Sequence, residues 1–215
     1  MVVSIARDGA GRARDELERC IADGGVAIFP ADTLYGLACD PLTARPVGRI
    51  HRLKGRDEGK SAAIMFFAPL GMREILSALG QRTRDALGAL LPGAVTAVVP
   101  NPEHRYPLAC REDPERLGVR LIEGPLAGAR SAIFQTSANC SGDPAPSRFE
   151  DVDPEILAGA DLAIDGGDLG GAPSTVVDLT AFEGEGKWGL LREGALPREE
   201  LDQRLREALG DLSTP

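Results

Sequence analysis

Short apolar runs recur along this chain, and stretches with helical periodicity separate them. The runs are rich in β-branched residues and only five to seven residues long, so they predict buried strands. They are VAIFP, SAAIMFF, VTAVVP, LGVRLI, SAIFQT, ADLAID, STVVDL and KWGLLRE. Strands interspersed with helices predict an α/β sheet covered by helices, and their irregular alternation predicts a mixed sheet.

Helical periodicity occupies the segments between these runs. Helices are predicted at ARDELERCIADGG, LTARPVGRIHRLK, PLGMREILSALG, RTRDALGALL and SRFEDVDPEILAGA, and from Pro197 to about residue 210. The glycine-rich stretch 165–174 reads as a loop, too short to tether two domains. Because no internal repeat or linker divides the chain, residues 1–215 are predicted to form a single domain.

Charge and cysteine content restrict the class of protein. The chain carries 24 Lys and Arg against 33 Asp and Glu, a net charge of −9. An acidic surface disfavours strong direct nucleic-acid binding, which depends on many basic contacts with phosphates. We expect a cytoplasmic protein, since neither a signal peptide nor a membrane span can be drawn. The four widely spaced cysteines read as reduced thiols.

Residues 45–60 form a basic island in this acidic chain, with six basic residues and two acidic ones. Such an island predicts a site for a small polyanion, and its continuation into a glycine-flanked loop favours convergence on one ligand. A solvated helix face is the alternative interpretation. The basic residues are Arg45, Arg49, Arg52, Lys54, Arg56 and Lys60.

Two further segments carry polar groups next to predicted strands. PADTLYGLACDP is predicted to be a ligand-binding loop, with Asp32, Thr33 and Tyr35 as contacts; a capped turn with a core tyrosine is the alternative. In TSANCSG, the alternation of Ser137, Asn139 and Ser141 would aim three polar groups one way if the chain is extended. A turn that ends the strand is the alternative there.

Seven motifs occur in the order FPADTLYGL, LKGR, LPGAVTAVV, GVRL, TSANCSGDPAPS, APSTVVDL and LLREGAL. Together they resemble the YrdC/TsaC family, the threonylcarbamoyl-AMP synthases of the tRNA threonylcarbamoyladenosine pathway, over about residues 12–196. The resemblance implies a YrdC-like twisted mixed sheet with a basic concave ligand face. It implies that L-threonine, bicarbonate and ATP give threonylcarbamoyl-AMP and pyrophosphate. Mg²⁺ would be bound mainly through the ATP phosphates, and a threonylcarbamoyl transferase would pass the group on to tRNA.

The resemblance also assigns site residues, and none of them is a metal ligand. The implied catalytic residues are Lys54 and Arg56. The implied ATP contacts are Arg56, Lys60, Ser137, Asn139, Ser147 and Arg192. The implied threonine contacts are Thr33, Arg120 and Ser174. For Arg120, an internal ion pair with Glu123 or Asp32 is the alternative to a substrate role.

The chain departs from the family pattern at several positions. Ala31 stands where Thr is usual, Asp57 where Pro is common, and Arg116 where a nucleotide-contacting Thr is common. Other departures are Met65, Leu91 and Ala94. Two alternatives to the synthase therefore remain open: a diverged paralogue that binds structured RNA in translation, and an enzyme that makes another carbamoyl-adenylate.

Overall fold

A ten-stranded mixed sheet forms the centre of the computed structural model, which describes residues 1–55 and 59–209. The strands are β1 Val2–Ser4, β2 Ala27–Pro30, β3 Tyr35–Cys39, β4 Ala63–Phe66, β5 Val95–Pro100, β6 Arg116–Leu121, β7 Ile133–Ser137, β8 Leu162–Asp165, β9 Thr175–Asp178 and β10 Gly189–Arg192. Their spatial order is β1-β8-β2-β3-β7-β4-β6-β5-β9-β10. The pairs β1·β8, β2·β8, β4·β6 and β5·β9 are parallel, and the other neighbours are antiparallel.

Nine helices are present in the described ranges, together with short 3-10 turns at Pro69–Met72 and Phe149–Asp151. The helix Ala44–Lys54 ends where Gly55 adopts a left-handed conformation with φ 54°, which glycine tolerates without strain. The helices are α1 Ile5–Asp8, α2 Ala10–Ala22, α3 Ala44–Lys54, α4 Arg73–Ser77, α5 Gln81–Leu90, α6 Pro107–Cys110, α7 Pro154–Gly159, α8 Phe182–Glu185 and α9 Arg198–Leu209.

The two faces of the sheet are covered differently. One face, called here the covered face, forms a continuous apolar core with helices that include α3, α5, α7 and α9. The opposite face packs on α2 beside β1, β8, β2 and β3, through Leu17 and Ile21 of that helix. Toward β6, β5 and β9 this second face, called here the open face, carries polar and small side chains that line a pocket. Strand alternation thus separates the core from the pocket residue by residue.

Most of the predicted elements are confirmed. Each of the eight apolar runs contains a strand, the sheet is mixed as predicted, and the C-terminal helix is present as α9. The helix predicted over 147–160 is shorter, because Pro154 begins α7 after Asp153, which caps it by accepting from the backbone N–H groups of Glu155 and Ile156. Leu201 and Leu205 of α9 are buried in the core on the covered face.

The prediction of a loop throughout PADTLYGLACDP was wrong. Residues Tyr35–Cys39 form β3, which pairs antiparallel with β2 from Ala27 opposite Ala38 to Pro30 opposite Tyr35. All five residues are buried, so the strand lacks the alternation of apolar and polar residues that identifies a half-exposed strand. The three-residue β1 was missed as well, because it is too short to show a pattern.

Candidate functional site

A pocket of about 790 Å³ lies on the open face of the sheet. Strand β6 crosses its floor, and the alternation of this strand directs Arg116, Gly118 and Arg120 into the pocket while Leu117, Val119 and Leu121 join the core. The walls come from strands and loops distant in sequence, among them Thr33, Ala63, Thr96, Gln135, Ser137, Asn139, Pro144, Ser174 and Arg192. Small and polar groups therefore surround the arginines of the pocket.

Arg120 is buried at one end of the pocket, with 5% of its surface exposed. Its Nη2 donates to Asp32 Oδ1 at 2.5 Å, and its Nη1 donates to Gln135 Oε1 at 3.4 Å. The internal ion pair with Asp32, which was the alternative to a substrate role, is therefore present. Arg120 Nε and Asp32 Oδ2 are buried without a hydrogen-bond partner among the described residues. The assignment of Arg120 to threonine stays a prediction.

Arg192 reaches the same end of the pocket from β10. It donates through Nη2 to the Ser174 carbonyl at 2.8 Å and to Ser174 Oγ at 3.2 Å, and Ser174 Oγ bonds Thr96 Oγ1 at 2.9 Å. Burial, and then the nearby positive charge of Arg120, lower the pKa of Arg192. Within the described ranges no carboxylate forms an ion pair with Arg192. Two neighbouring guanidinium groups, of which only Arg120 is paired with an acid in the described ranges, favour an anion.

In the segment TLYG, Thr33 and Tyr35 were both predicted to contact a ligand, but the structure gives them different surroundings. Thr33 lines the pocket and is 7% exposed. Tyr35 is fully buried: its hydroxyl donates to the Gly167 carbonyl at 2.7 Å and accepts from Gly166 N at 3.0 Å. Burial raises the pKa of Tyr35 to about 12. Tyr35 is thus a core residue with a structural hydroxyl, which was the alternative interpretation.

Lys54 forms hydrogen bonds with several residues of the TSANCSG segment. Only 3% of Lys54 is exposed, and its ammonium donates to the carbonyls of Ser137 and Asn139, and to Asn139 Oδ1 at 3.3 Å. Ser141 N also anchors the segment, since it donates to the Lys54 carbonyl at 2.7 Å. The Asn139 amide donates to the carbonyls of Cys140 and Asp143. Lys54 therefore holds this wall of the pocket in shape.

Apart from Lys54, the basic residues of the island on helix α3 do not converge on the pocket. Arg45 and Arg52 are exposed on α3, and Arg49 pairs with Asp161 at 2.7 Å. For these three residues the solvated helix face was the correct interpretation.

The other predicted residues of this region differ in their placement. Lys60 is exposed beside Ser61, which lines the pocket, whereas Arg56 and Asp57 lie outside the described residues. Ser147 is half-buried next to Gly171, another lining residue.

The other end of the pocket holds an ion-pair cluster around Arg116, which the sequence singled out only as a departure from the family pattern. Arg116 Nη2 donates to Asp178 at 2.6 Å, and Arg116 Nη1 contacts Asp113 at 3.4 Å. Asp113 and Arg116 both line the pocket. The alternation of Arg116, Gly118 and Arg120 along β6 was the signal that would have placed Arg116 on the same face as Arg120.

The fold and these residues match a known family. Residues 19–194 fit the model of the Sua5/YciO/YrdC family, whose description is telomere recombination. The chain belongs to this family.

Members of the Sua5/YciO/YrdC family differ in length. A threonylcarbamoyl-AMP synthase from Pyrococcus abyssi is 30% identical over 197 residues, which cover 87% of this chain and 55% of the relative. A threonylcarbamoyl-AMP synthase from Thiobacillus denitrificans is 32% identical over 187 residues, 83% of this chain and 96% of the relative. The crystal structure of P. abyssi Sua5 complexed with L-threonine superposes with a TM-score of 0.81 at 26% identity, and covers 98% of this chain and 61% of that one.

Two further properties of the described residues concern metal ions and membranes. Across residues 1–55 and 59–209, no group of three or more His, Cys, Asp or Glu side chains is arranged to hold a metal ion. No helix in the described part of the chain has the length and apolar character needed to cross a membrane. The pocket lining includes guanidinium, amide and hydroxyl groups that can donate to a ligand.

Proposed function

We propose that this chain synthesises L-threonylcarbamoyl-AMP from L-threonine, bicarbonate and ATP, with release of pyrophosphate. The observation that carries the proposal is the pair of guanidinium groups of Arg120 and Arg192 in one pocket, with Asp32 as the only acid paired to them in the described structure. A ligand with two separate anionic groups, a carboxylate and a phosphate chain, complements such a pair. Relatives named threonylcarbamoyl-AMP synthase support this choice of ligands.

The amino-acid end is assigned to Arg120, Thr33 and Ser174. An α-carboxylate that approaches Arg120 meets a planar group that binds two oxygens at once, which a lysine cannot do. Arg120 Nε, buried and unpartnered among the described residues, offers a further donor in this subsite. The complex of P. abyssi Sua5 with L-threonine makes threonine the first amino acid to test.

The nucleotide is assigned to Arg192, Ser137, Asn139 and Ser147, with Lys54, Arg56 and Lys60 toward its phosphates. A positive charge as buried as that of Lys54 retains much of its strength, because little water screens it. Mg²⁺ would arrive bound to the ATP phosphates and water, as is common for this ion. Its contribution would be to neutralise phosphate charge during transfer.

The reaction needs no protein nucleophile. The threonine nitrogen attacks bicarbonate carbon and water leaves, which gives an N-carboxylated threonine. One oxygen of the newly formed carbamate group attacks the α-phosphorus of ATP, and the bond from this phosphorus to the bridging oxygen breaks as pyrophosphate departs. The side chains then have two tasks, alignment of the two substrates and neutralisation of charge, which dominate phosphoryl-type transfer.

The wider role follows from the product. A mixed anhydride of a carbamate and AMP is an activated donor, and we propose that a threonylcarbamoyl transferase passes its group to tRNA in the cytoplasm. Direct strong binding of tRNA is not expected, because the chain carries a net charge of −9.

Threonine-dependent release of pyrophosphate from ATP tests the proposal. Purified protein with ATP, bicarbonate and Mg²⁺ should release pyrophosphate only when L-threonine is added, and mass spectrometry should detect threonylcarbamoyl-AMP. Arg192→Ala should lower the rate by about tenfold or more, since charge-assisted contacts contribute about 1.5 to 3 kcal/mol. Arg204→Ala, the same change at an α9 arginine paired with Glu200, should leave the rate unaltered.

Three outcomes distinguish the candidate functions. Release that requires carbamoyl phosphate instead of threonine would identify an enzyme that makes another carbamoyl-adenylate. Binding of structured RNA without any pyrophosphate release would identify the RNA-binding paralogue. Equal rates for Arg192→Ala and Arg204→Ala would remove Arg192 from the nucleotide site.

A further inference from the structure

A buried hydroxyl group on β9 holds residues 193–196, called here the connector, which join β10 to α9. Thr175 has no exposed surface. Its Oγ1 donates to the Leu196 carbonyl at 2.5 Å, and accepts from Gly194 N at 3.0 Å and from Leu196 N at 3.1 Å. A threonine hydroxyl has one donor and two acceptor positions, so the connector occupies all of them.

The backbone next to Thr175 holds the same connector. Ala195 N donates to the Pro173 carbonyl at 2.8 Å. A Cβ atom at Gly194 would lie 2.2 Å from the Pro173 carbonyl oxygen and 2.7 Å from that of Ser174, so a side chain there would force the two segments apart. Three consecutive N–H groups of the connector, those of residues 194–196, therefore donate to residues 173–175.

The connector lies between a helix fixed in the core and a guanidinium group of the pocket. On the helix side, Glu193 Oε1 accepts from Arg198 N at 2.9 Å, and Leu201 of α9 is buried on the covered face. On the pocket side, Arg192 donates to the Ser174 carbonyl from Nε at 3.2 Å and from Nη2 at 2.8 Å. A displacement of the connector would therefore reach Arg192 directly.

Arg192 itself lies at the irregular end of an edge strand. Strand β10 is the last of the sheet, and its pairing with β9 shifts register between Leu190, opposite Val177, and Arg192, opposite Val176. Leu191, between them, is 55% exposed. A short edge strand with exposed side chains opens more readily than the core, so contacts beyond the strand matter for the position of Arg192.

We propose that Thr175 is a positioning residue for the nucleotide site: its hydroxyl holds the connector, and the connector keeps the Arg192 guanidinium in the pocket. Thr175 acts through Arg192, because its own hydroxyl is saturated by the connector. A guanidinium held in place before binding loses little ordering entropy when a phosphate arrives. The inference rests on the proposed binding of ATP by Arg192, and makes α9 the anchor of this arrangement.

Thr175→Val tests the inference, because it replaces the hydroxyl with a methyl group of similar size. The N–H and carbonyl groups of Leu196 then lose their partner in buried surroundings. In calorimetry on the intact chain, ATP should bind about tenfold more weakly. The affinity for threonine should change by less than about twofold, since Arg120 on β6 keeps its own contacts. Thr175→Ser, which keeps the hydroxyl, should restore most of the ATP affinity.

A double variant shows whether Thr175 acts through Arg192. Arg192→Ala should weaken ATP binding by itself, and the addition of Thr175→Val should weaken it no further, because the two changes remove the same contact. Effects of the two substitutions that multiply would overturn the inference, since Thr175 would then act on ATP by another route.

The matched control is Thr83→Val. Thr83 is also fully buried, and its Oγ1 donates to Glu183 at 3.0 Å on the covered side of the molecule, in α5. The same hydroxyl is thus removed outside the pocket. Thr83→Val should lower the melting temperature and leave the ATP affinity unchanged. Equal losses of ATP affinity in Thr83→Val and Thr175→Val would show a merely structural role and overturn the inference.

A second variant keeps the test decisive if Thr175→Val does not fold. Gly194→Ala pushes the connector away from the Ser174 backbone and should weaken ATP binding by a similar factor. Unchanged ATP affinity in Thr175→Val, or in Gly194→Ala where only that variant folds, would overturn the inference while the proposed synthase stands. Failure of the unmodified protein to bind ATP would overturn both.

Discussion

The covered and open faces of the sheet use the same strands for opposite purposes. In β7, Phe134 packs into the core while the next residue, Gln135, lines the pocket beside Arg120. In β6, Val119 and Arg120 divide in the same way. Stability and ligand binding are thus assigned to alternate residues of one strand. Neighbouring substitutions should therefore have separable effects.

The largest expected difference is between Phe134→Ala and Gln135→Ala. Phe134 is fully buried in the core, so its truncation should lower the free energy of unfolding by about 3 to 5 kcal/mol. Gln135→Ala removes only a 3.4 Å contact with Arg120 and should cost less than about 1 kcal/mol. Urea unfolding of both variants measures the difference. Similar losses of stability would mean that the two faces are not energetically distinct.

A smaller effect is expected on the open face from Arg120→Lys. Lysine keeps a positive charge opposite Asp32, so the buried acid stays paired and the melting temperature should change little. Threonine should bind about tenfold more weakly, because the planar two-point contact is lost. Calorimetry with threonine, and separately with ATP, checks this. Normal threonine affinity in Arg120→Lys would show that Arg120 only pairs with Asp32 and does not bind threonine.

The smallest effect is expected at the edge of the covered face, at Asp161. The hydrogen bond from Arg49 is the main cause that lowers the pKa of Asp161, with help from Val26 N. A carboxyl whose pKa is lower in the folded state stabilises the fold above its unfolded pKa of about 4, and loses this contribution as the pH falls through the folded pKa. Since the Asp161 side chain is 48% exposed, Asp161→Asn should cost no more than about 1 kcal/mol at pH 7.

Thermal melts of Asp161→Asn and the unmodified protein between pH 7 and pH 3 provide the measurement. The gap between the two melting temperatures should be present at pH 7 and close toward pH 3. A gap that stays constant over this range would show that the charge of Asp161 contributes nothing.

The eight predicted strands could be recognised because their sequences are short apolar runs rich in β-branched residues. The sequence contains no comparable signal for β3, whose residues are all buried and include Gly36. At Gly36 a Cβ atom would lie 2.9 Å from the Phe29 ring, so close strand packing excludes the β-branched residues that reveal other strands.

Part of the pocket was predictable from the motifs shared with the family. Thr33, Arg120, Ser137, Asn139, Ser174 and Arg192 all line one pocket, although their roles toward ligands stay predictions. Thr96 was missed because its position depends on strand register, which pairs Val95 of β5 with Thr175 of β9. Asp113 was missed because it lies in the segment before β6, where no strand pattern places it. The prediction that the whole basic island converges on one ligand was wrong, because helix periodicity directs Arg45, Arg49 and Arg52 away from the pocket.

The strand order has a consequence for how this protein acquires its shape during synthesis. Val95 of β5 pairs with Thr175 of β9, and Val2 of β1 pairs with Ala163 of β8, so pairings toward both edges of the sheet join segments made far apart in time. Pairings of such large sequence separation fold slowly. Until β9 emerges, one side of β5 is an unpaired edge that invites association with other chains. The pocket, which needs Ser174 and Arg192, is thus completed last.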